Sequence, residues 1–256
     1  MNSSLQIKRV PYAKTTDLFA GDDVRVLYVG DIHGEIHRLH KLLAQMNFNS
    51  NRDVLISVGD IFDRGKQSLQ TLQYFYGCDR DHIMSVMGNH EHTSSKLIRS
   101  GLPLKQWFTN GGGWLSELYD DIEVFNQTKK MIVSYASMLP YAITVYHRGM
   151  RIGVVHAEVD YEAPHWNVFR DSLEAENSFV VESALWSREI INCPERFDKP
   201  EFRVKGVDWT IHGHTPIEDP IHIQNRLYID TGAVFKGGKL TILEFDSNGQ
   251  PTYTFG

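Results

Sequence analysis

Apolar and polar residues fall along the chain in blocks whose period switches at regular intervals. Residues 24–29 form a short apolar run stopped by Gly30, the pattern of a strand buried on both faces. In the next block Ile36, Leu39, Leu42, Leu43 and Met46 recur at i, i+3, i+4 spacing, which predicts a helix over 35–47. Residues 54–58 read as a second buried strand. Residues 68–76 read as a helix with Leu69, Leu72, Phe75 and Tyr76 on one face, and 83–87 as a third strand. This β-α-β-α-β alternation predicts a parallel sheet with right-handed crossovers. Residues 92–135 read as helical with irregular joints, turned at Asn110-Gly111-Gly112-Gly113. Residues 142–145 and 151–155, separated by His147-Arg148-Gly149, predict a hairpin, and short strands return at 209–211, 227–229 and 240–245. Between them, 158–205 is polar, rich in acids and aromatics, and weakly periodic, and reads as a long, largely surface-lying connection. Residues 1–22 are polar and mixed and read as an N-terminal extension, leaving 23–256 as one domain.

The three predicted parallel strands each end in a glycine followed by a metal-type ligand. The cassettes are Gly30-Asp31-Ile32-His33-Gly34, Gly59-Asp60-Ile61-Phe62-Asp63-Arg64-Gly65 and Gly88-Asn89-His90-Glu91, and Asp31, Asp60 and Asn89 recur at equal steps of 29 residues. A βαβ unit takes about 30 residues. One ligand therefore stands at the carboxyl end of each successive strand, where α/β folds place their chemistry. His156 ends a later apolar run, and either His212 or His214 ends another in Ile211-His212-Gly213-His214-Thr215. Mixed oxygen and nitrogen donors suit Mn²⁺, Fe or Zn²⁺ better than a thiolate-seeking metal. A carboxylate bridging two cations roughly 3.5–4 Å apart suits in-line attack on phosphorus.

Composition narrows the partners. At 256 residues the chain can bury a substantial core, and a net charge of −6 argues against a protein that lives on nucleic acid or an anionic membrane. Two cysteines give no disulfide framework and point to a reducing compartment. With no signal-peptide pattern and no apolar run near ~18 residues, the expected localisation is cytoplasmic, without membrane contact.

The three cassettes resemble the signature of the PPP superfamily of metal-dependent serine/threonine protein phosphatases, within the calcineurin-like metallophosphoesterase fold. The resemblance continues through Asn110-Gly111-Gly112-Gly113-Trp114, His156-Ala157, Leu185-Trp186-Ser187-Arg188-Glu189, Gly213-His214-Thr215-Pro216 and Asp230-Thr231-Gly232-Ala233. Over roughly residues 24–245 the wording is closest to the small bacterial and bacteriophage lambda-type phosphatases. It implies an α/β fold with a central β-sandwich flanked by helices and the site at the carboxyl ends of strands. Asp31, His33 and Asp60 would hold a first divalent ion. Asp60, Asn89, His156 and His214 would hold a second, with Mn²⁺ the first choice and Fe or Zn²⁺ alternatives. The implied nucleophile is a hydroxide bridging the two ions, because two cations depress the pKa of bound water. Arg64 and Arg188 would clamp the phosphoryl oxygens. His90 would protonate the departing seryl oxygen, supported by Asp63. The implied substrates are phosphoserine and phosphothreonine, with phosphotyrosine also conceivable, on protein partners.

Blander readings attach to single residues. Asp-x-His alone is more often a turn than a metal site, and Arg64 or Arg188 alone would be surface charge. His212 is a structural or supporting histidine on this reading, because the resemblance places the ligand in the Gly-His-Thr step. Trp107, Trp114 and Trp166 default to core packing. Two rival functions stand beside the main one. The first is a symmetrical dinucleoside tetraphosphatase of the same superfamily. The second is a non-catalytic binding protein on a phosphatase scaffold, against which the complete ligand set argues.

Overall fold

A computed structural model of the protein describes residues 6–8, 13–79, 81–162 and 164–256. The chain begins with Gln6–Lys8 (β1) antiparallel to Thr15–Ala20 (β2). The β-α-β-α-β unit follows as Val26–Val29 (β3), Ile36–Gln45 (α1), Val54–Ser57 (β4), Ser68–Gly77 (α2) and Ile83–Ser85 (β5). Its three strands are parallel, as their alternation with helices predicts. Asn89–Ser100 (α3), Lys105–Thr109 (α4), a 3-10 turn at Gly112–Leu118 and Ile122–Ala136 (α5) supply the jointed helical region. Ala142–His147 (β6) and Met150–Val155 (β7) form the hairpin. After four helices come Trp209–His212 (β8), Ile221–Ile223 (β9), Arg226–Tyr228 (β10), Thr241–Phe245 (β11) and Pro251–Phe255 (β12).

Two sheets result, in the orders β1-β2-β6-β7-β8-β10-β9 and β12-β11-β3-β4-β5. They pack face to face. Side chains alternate across a strand, so Val26 and Tyr28 of β3 and Val54 and Ile56 of β4 point into the sandwich. There they meet Val145, Val154 and Ile211 of the larger sheet. The intervening Leu27, Val29 and Leu55 face outward and are covered by α1, α2 and α5 through Leu39, Leu42, Leu72, Phe75 and Ile132. Burial on both faces is why these strands read as continuous apolar runs. On α2 the buried stripe is Ser68, Thr71, Leu72 and Phe75, whereas Tyr76 of the expected face is exposed.

Two segments differ from expectation. Thr15–Ala20, assigned by sequence to an extension before residue 23, is β2, paired parallel to β6 along its whole length, with Leu18 buried in the sandwich. Its alternation of Thr, Asp, Leu and Phe is the mark of a strand with one covered face, and is too short to stand out beside the polar residues before it. Residues 1–5 and 9–12 of that stretch lie outside the described residues. The second segment, 158–205, is a packed layer rather than a surface connection. Trp166–Glu174 (α6) and Ser178–Trp186 (α7) cover the outer face of the larger sheet with Trp166, Phe169, Leu173, Val180 and Ala184. The short helices Glu189–Asn192 (α8) and Pro194–Phe197 (α9) follow. Helices of nine residues and fewer give too few turns for a clear period, which is why the sequence pattern was weak here.

Candidate active site

Both sheets end at one rim. Asp31 and His33 follow β3, Asp60 follows β4, and Asn89 and His90 open α3 just after β5. From the larger sheet His156 follows β7, His214 follows β8 and Asp230 follows β10. The strands within each trio are parallel. Their carboxyl ends therefore converge, and residues 183 positions apart, Asp31 and His214, share hydrogen bonds.

The turns that aim these side chains are unusual. His33, Asp60, Asp63, Arg64 and His214 all have φ between 45° and 75°. Non-glycine residues in that left-handed region cost about 1–3 kcal/mol each and persist where surrounding structure over-determines them. Gly88 is needed for a different reason: a Cβ there would collide with Oδ1 and the backbone nitrogen of Asp60. A side chain at this glycine would push the two loops apart.

Asp60 is the centre. Its Oδ1 accepts the backbone N–H of His90 at 3.0 Å. Its Oδ2 lies 3.6 Å from Nε2 of His33, 3.4 Å from Nε2 of His156 and 3.9 Å from Nε2 of His90. Ligand atoms of two trios, His33–Asp60–His90 and Asp60–His156–His214, lie within 4.8 Å of one another, and all are buried. Asp31 is also buried. Its Oδ2 is 4.0 Å from Nε2 of His33, and both its oxygens accept the N–H of His214. Asn89 Oδ1 faces Nε2 of His156 at 2.9 Å and Nδ1 of His214 at 3.0 Å. The structure thus brings together all six metal candidates, with His90 standing closer to the His33–Asp60 pair than the sequence alone indicated.

The outer nitrogens settle the chemistry of the inner ones. His33 Nδ1 faces the Phe62 carbonyl at 3.1 Å, His156 Nδ1 that of Val58 at 2.8 Å, and His214 Nε2 that of Trp186 at 3.1 Å. A carbonyl accepts only, so each of these ring nitrogens carries the proton and donates. At His214 the opposite nitrogen, Nδ1, turns its lone pair toward Asn89; at His33 the Nε2 lone pair accepts from the Arg64 guanidinium beside Asp60, and at His156 Nε2 faces Asp60 and Asn89. Lone pairs facing carboxylate and amide oxygens suit a cation, and a carbonyl bond fixing the tautomer is the usual support of a metal-ligating histidine. The residues present fit divalent metal ions.

The three rings carry different charge. Burial disfavours a charged His156, yet Asp60 and Asp31 outweigh it and lift its pKa to about 10. Burial drives His33 down to about 3 and His214 to about 2, with His156 and Arg188 adding to the effect at His214. Burial, with Asp230 and Asp60 nearby, holds Asp31 well above the ordinary carboxylate range, and burial lifts Asp230 to about 6. Asp60 is held well below that range; burial opposes this, and His156 and His90 overcome it.

His90 is set apart. Its Nδ1 donates to Oδ2 of Asp63 at 2.7 Å, whereas Nε2 is buried with no hydrogen-bond partner. Burial works against its charged form, but Asp60 and Asp63 raise its pKa above the ordinary value. Asp63 also accepts from Nε1 of Trp107 at 2.5 Å and of Trp114 at 2.7 Å. These two tryptophans, read from sequence as core residues, pin the carboxylate behind His90. Trp166 lies elsewhere, in the core, donating to Thr144. Arg64 is exposed; its guanidinium donates to Nε2 of His33 and lies over the Phe235 ring, and its backbone N–H donates to the Gly111 carbonyl. The triple-glycine turn thus forms a wall of the site. Arg188, also exposed, stands at the amino end of α8. His212 is buried below the rim, bonded to the Ala157 carbonyl and Thr210.

Sequence reasoning missed Glu91 and Asp230 as site residues, although both lie in quoted motifs. Glu91 accepts the backbone N–H groups of Asp60, Ile61 and Gly88, and burial with the nearby Asp60 lifts its pKa to about 7. It ties the second cassette to the third. The available signal was its place three residues beyond Gly88, where a helix's third residue can reach back to its cap.

Two sheets converging on a carboxylate-centred histidine cluster define a metallophosphoesterase, and the comparisons agree. Residues 24–218 match the calcineurin-like phosphoesterase family, and the chain belongs to it. It is 32% identical over 217 residues to serine/threonine-protein phosphatase 1 of Salmonella typhimurium, covering 85% of this chain and 90% of that protein. It is 28% identical over 240 residues to an asymmetrical bis(5'-nucleosyl)-tetraphosphatase of a Geobacillus strain, covering 87% and 91%. A protein serine/threonine phosphatase from Saccharomyces cerevisiae shares the fold with a TM-score of 0.59 at 13% identity, over 95% of this chain and 83% of that one. Among the described residues no helix is long and apolar enough to cross a membrane.

Proposed function

We propose that the protein is a metal-dependent phosphomonoesterase that hydrolyses phosphoserine and phosphothreonine in proteins. The observation that carries this reading is His90, held at Nδ1 by Asp63 and bare at Nε2, in the same buried pocket as the Asp60-centred ligands. Asp31, His33 and Asp60 would hold one ion, and Asp60, Asn89, His156 and His214 a second, with Mn²⁺ the first choice. When bound, the ions supply Lewis acidity that activates water near neutral pH and offsets phosphoryl charge.

The chain's own groups do the rest. His90 holds a proton at Nε2 for the leaving alkoxide of serine or threonine, and Asp63 supports the imidazolium through Nδ1. A phosphate monoester has three terminal oxygens to neutralise, a task that would suit the guanidiniums of Arg64 and Arg188. The likeness to the Salmonella phosphatase supports the protein substrate. Hydrolysis of a phosphoserine peptide by metal-stripped protein, with and without Mn²⁺, tests the reading. The expected result is phosphate release only with metal. The likeness to a nucleosyl tetraphosphatase makes a dinucleoside tetraphosphate the necessary parallel substrate. Turnover confined to it would overturn the substrate class while keeping the metal site.

A further inference from the structure

Another buried carboxylate lies behind the rim, outside the ligand cluster. Glu158 follows His156 by two residues and is 1% exposed. Its Oε1 accepts the backbone N–H groups of Ile190 at 3.0 Å and Ile191 at 3.1 Å. Its Oε2 accepts the Ser187 hydroxyl at 2.5 Å and the Ile190 N–H at 3.3 Å. Its backbone N–H in turn donates to the Ser183 carbonyl at 3.2 Å. Every one of these partners belongs to the stretch 183–191, and Arg188 sits between the clamped positions 187 and 190. The same stretch supplies the Trp186 carbonyl that fixes His214 at Nε2, and the Arg188 charge is near enough to act on His214. Without Glu158, several backbone and hydroxyl donors would face a low-dielectric interior unpaired. A loop on such a support has few ways to shift, so the Cα from which Arg188 reaches out returns to one place.

We propose that Glu158 is the positioning residue for Arg188, holding the 187–191 turn so that the guanidinium meets the phosphoryl group. This rests on the phosphatase reading above, in which Arg188 binds phosphoryl oxygens. Glu158 touches no substrate; it acts by restricting the backbone on either side of the arginine. A carboxylate is suited to the task because it only accepts, and all its partners here donate. An amide in its place would turn its NH2 toward the Ile190 N–H or, on the Oε2 side, force the Ser187 hydroxyl to reverse from donor to acceptor.

The test is a double-mutant cycle of Glu158→Gln and Arg188→Ala on the Mn²⁺-loaded full chain. It reads kcat and KM for p-nitrophenyl phosphate and, separately from turnover, the affinity for inorganic phosphate by calorimetry. Arg188→Ala should cost about 10²-fold in kcat/KM, as loss of one transition-state donor does. Glu158→Gln should cost about 10- to 100-fold, as loss of a supporting partner does, with phosphate affinity falling in parallel and metal content unchanged. The double variant should lose little beyond Arg188→Ala alone. Should Glu158→Gln fold poorly, Ser187→Ala removes the hydroxyl's bond to Glu158 and its long contact with the Glu189 N–H at 3.4 Å while leaving the isoleucine N–H bonds, and about a three- to tenfold loss of phosphate affinity that vanishes in the Arg188→Ala background supports the same assignment. Additive losses in either cycle, with active wild type, overturn the Glu158 assignment and leave the phosphatase reading standing. A wild type with neither turnover nor phosphate binding sinks that reading itself, and the inference with it.

Discussion

At the scale of residues, the site works by denying each side chain an alternative. Asp63 is buried and saturated by His90 and two tryptophan N–H groups, so His90 can present only Nε2. Replacing His90 with Asn removes the proton donor and keeps the metal candidates. We expect kcat to fall by about 10²–10⁴ for a phosphoserine peptide. The loss should be far smaller for p-nitrophenyl phosphate, whose leaving group needs no proton. Equal losses for both would contradict the donor role. Gly88→Ala should be as damaging without replacing a site residue, because its Cβ would displace Asp60. Metal analysis should find fewer than two ions per chain in that variant, and full occupancy would show that the loops have room to give.

At the scale of elements, the rim depends on layers that hold the strands in register. Trp166 of α6 is fully buried, with its ring where a Cβ on Gly153 of β7 would stand. Trp166→Ala leaves a cavity and strands the Thr144 hydroxyl, so about 3–5 kcal/mol of stability should be lost in denaturant unfolding. A loss under about 1 kcal/mol would mean that the helical layer is not packed as described. Asp53, which opens into β4, joins that strand to the chain before β3. Burial opposes its ionisation, but the Asn49 N–H and the guanidiniums of Arg52 and Arg25 hold its pKa below the ordinary value. The sign follows from linkage. A depressed carboxylate pKa adds stability that is complete above the unfolded value of about 3.9 and is lost as pH falls through the folded one. Asp53→Asn should therefore destabilise the protein at neutral pH and flatten its acid loss below about pH 4. An unchanged acid limb in urea melts at pH 3 and pH 7 would remove Asp53 from the account.

At the scale of the whole molecule, two sheets carry half a site each, so occupancy of the site should couple to global stability. A ligand at 100 times its Kd adds about 2.7 kcal/mol when it binds only the folded chain. Thermal melts should rise with Mn²⁺ and fall with chelator, and a flat response would contradict the fit of the donor set to a cation. The sequence by itself determined the three-strand parallel unit and the candidate ligands at its ends, because burial on both faces writes continuous apolar runs and tight turns write glycine-acid pairs. It also offered His156 and, with His212 as a rival that the family resemblance set aside, His214 as later candidates through short motifs. It did not display β2 as part of the sheet or 166–186 as a packed layer, because one covered face and two-turn helices leave weak periods. Nor could it show that Asp60 faces three imidazoles, that two tryptophans pin Asp63, or that Glu91 and Glu158 tie loops together. Those facts join residues apart in the chain: strand pairing and the helices packed on each sheet bring Asp63, Glu91 and Glu158 to their partners, and the docking of one sheet on the other brings His156 to Asp60.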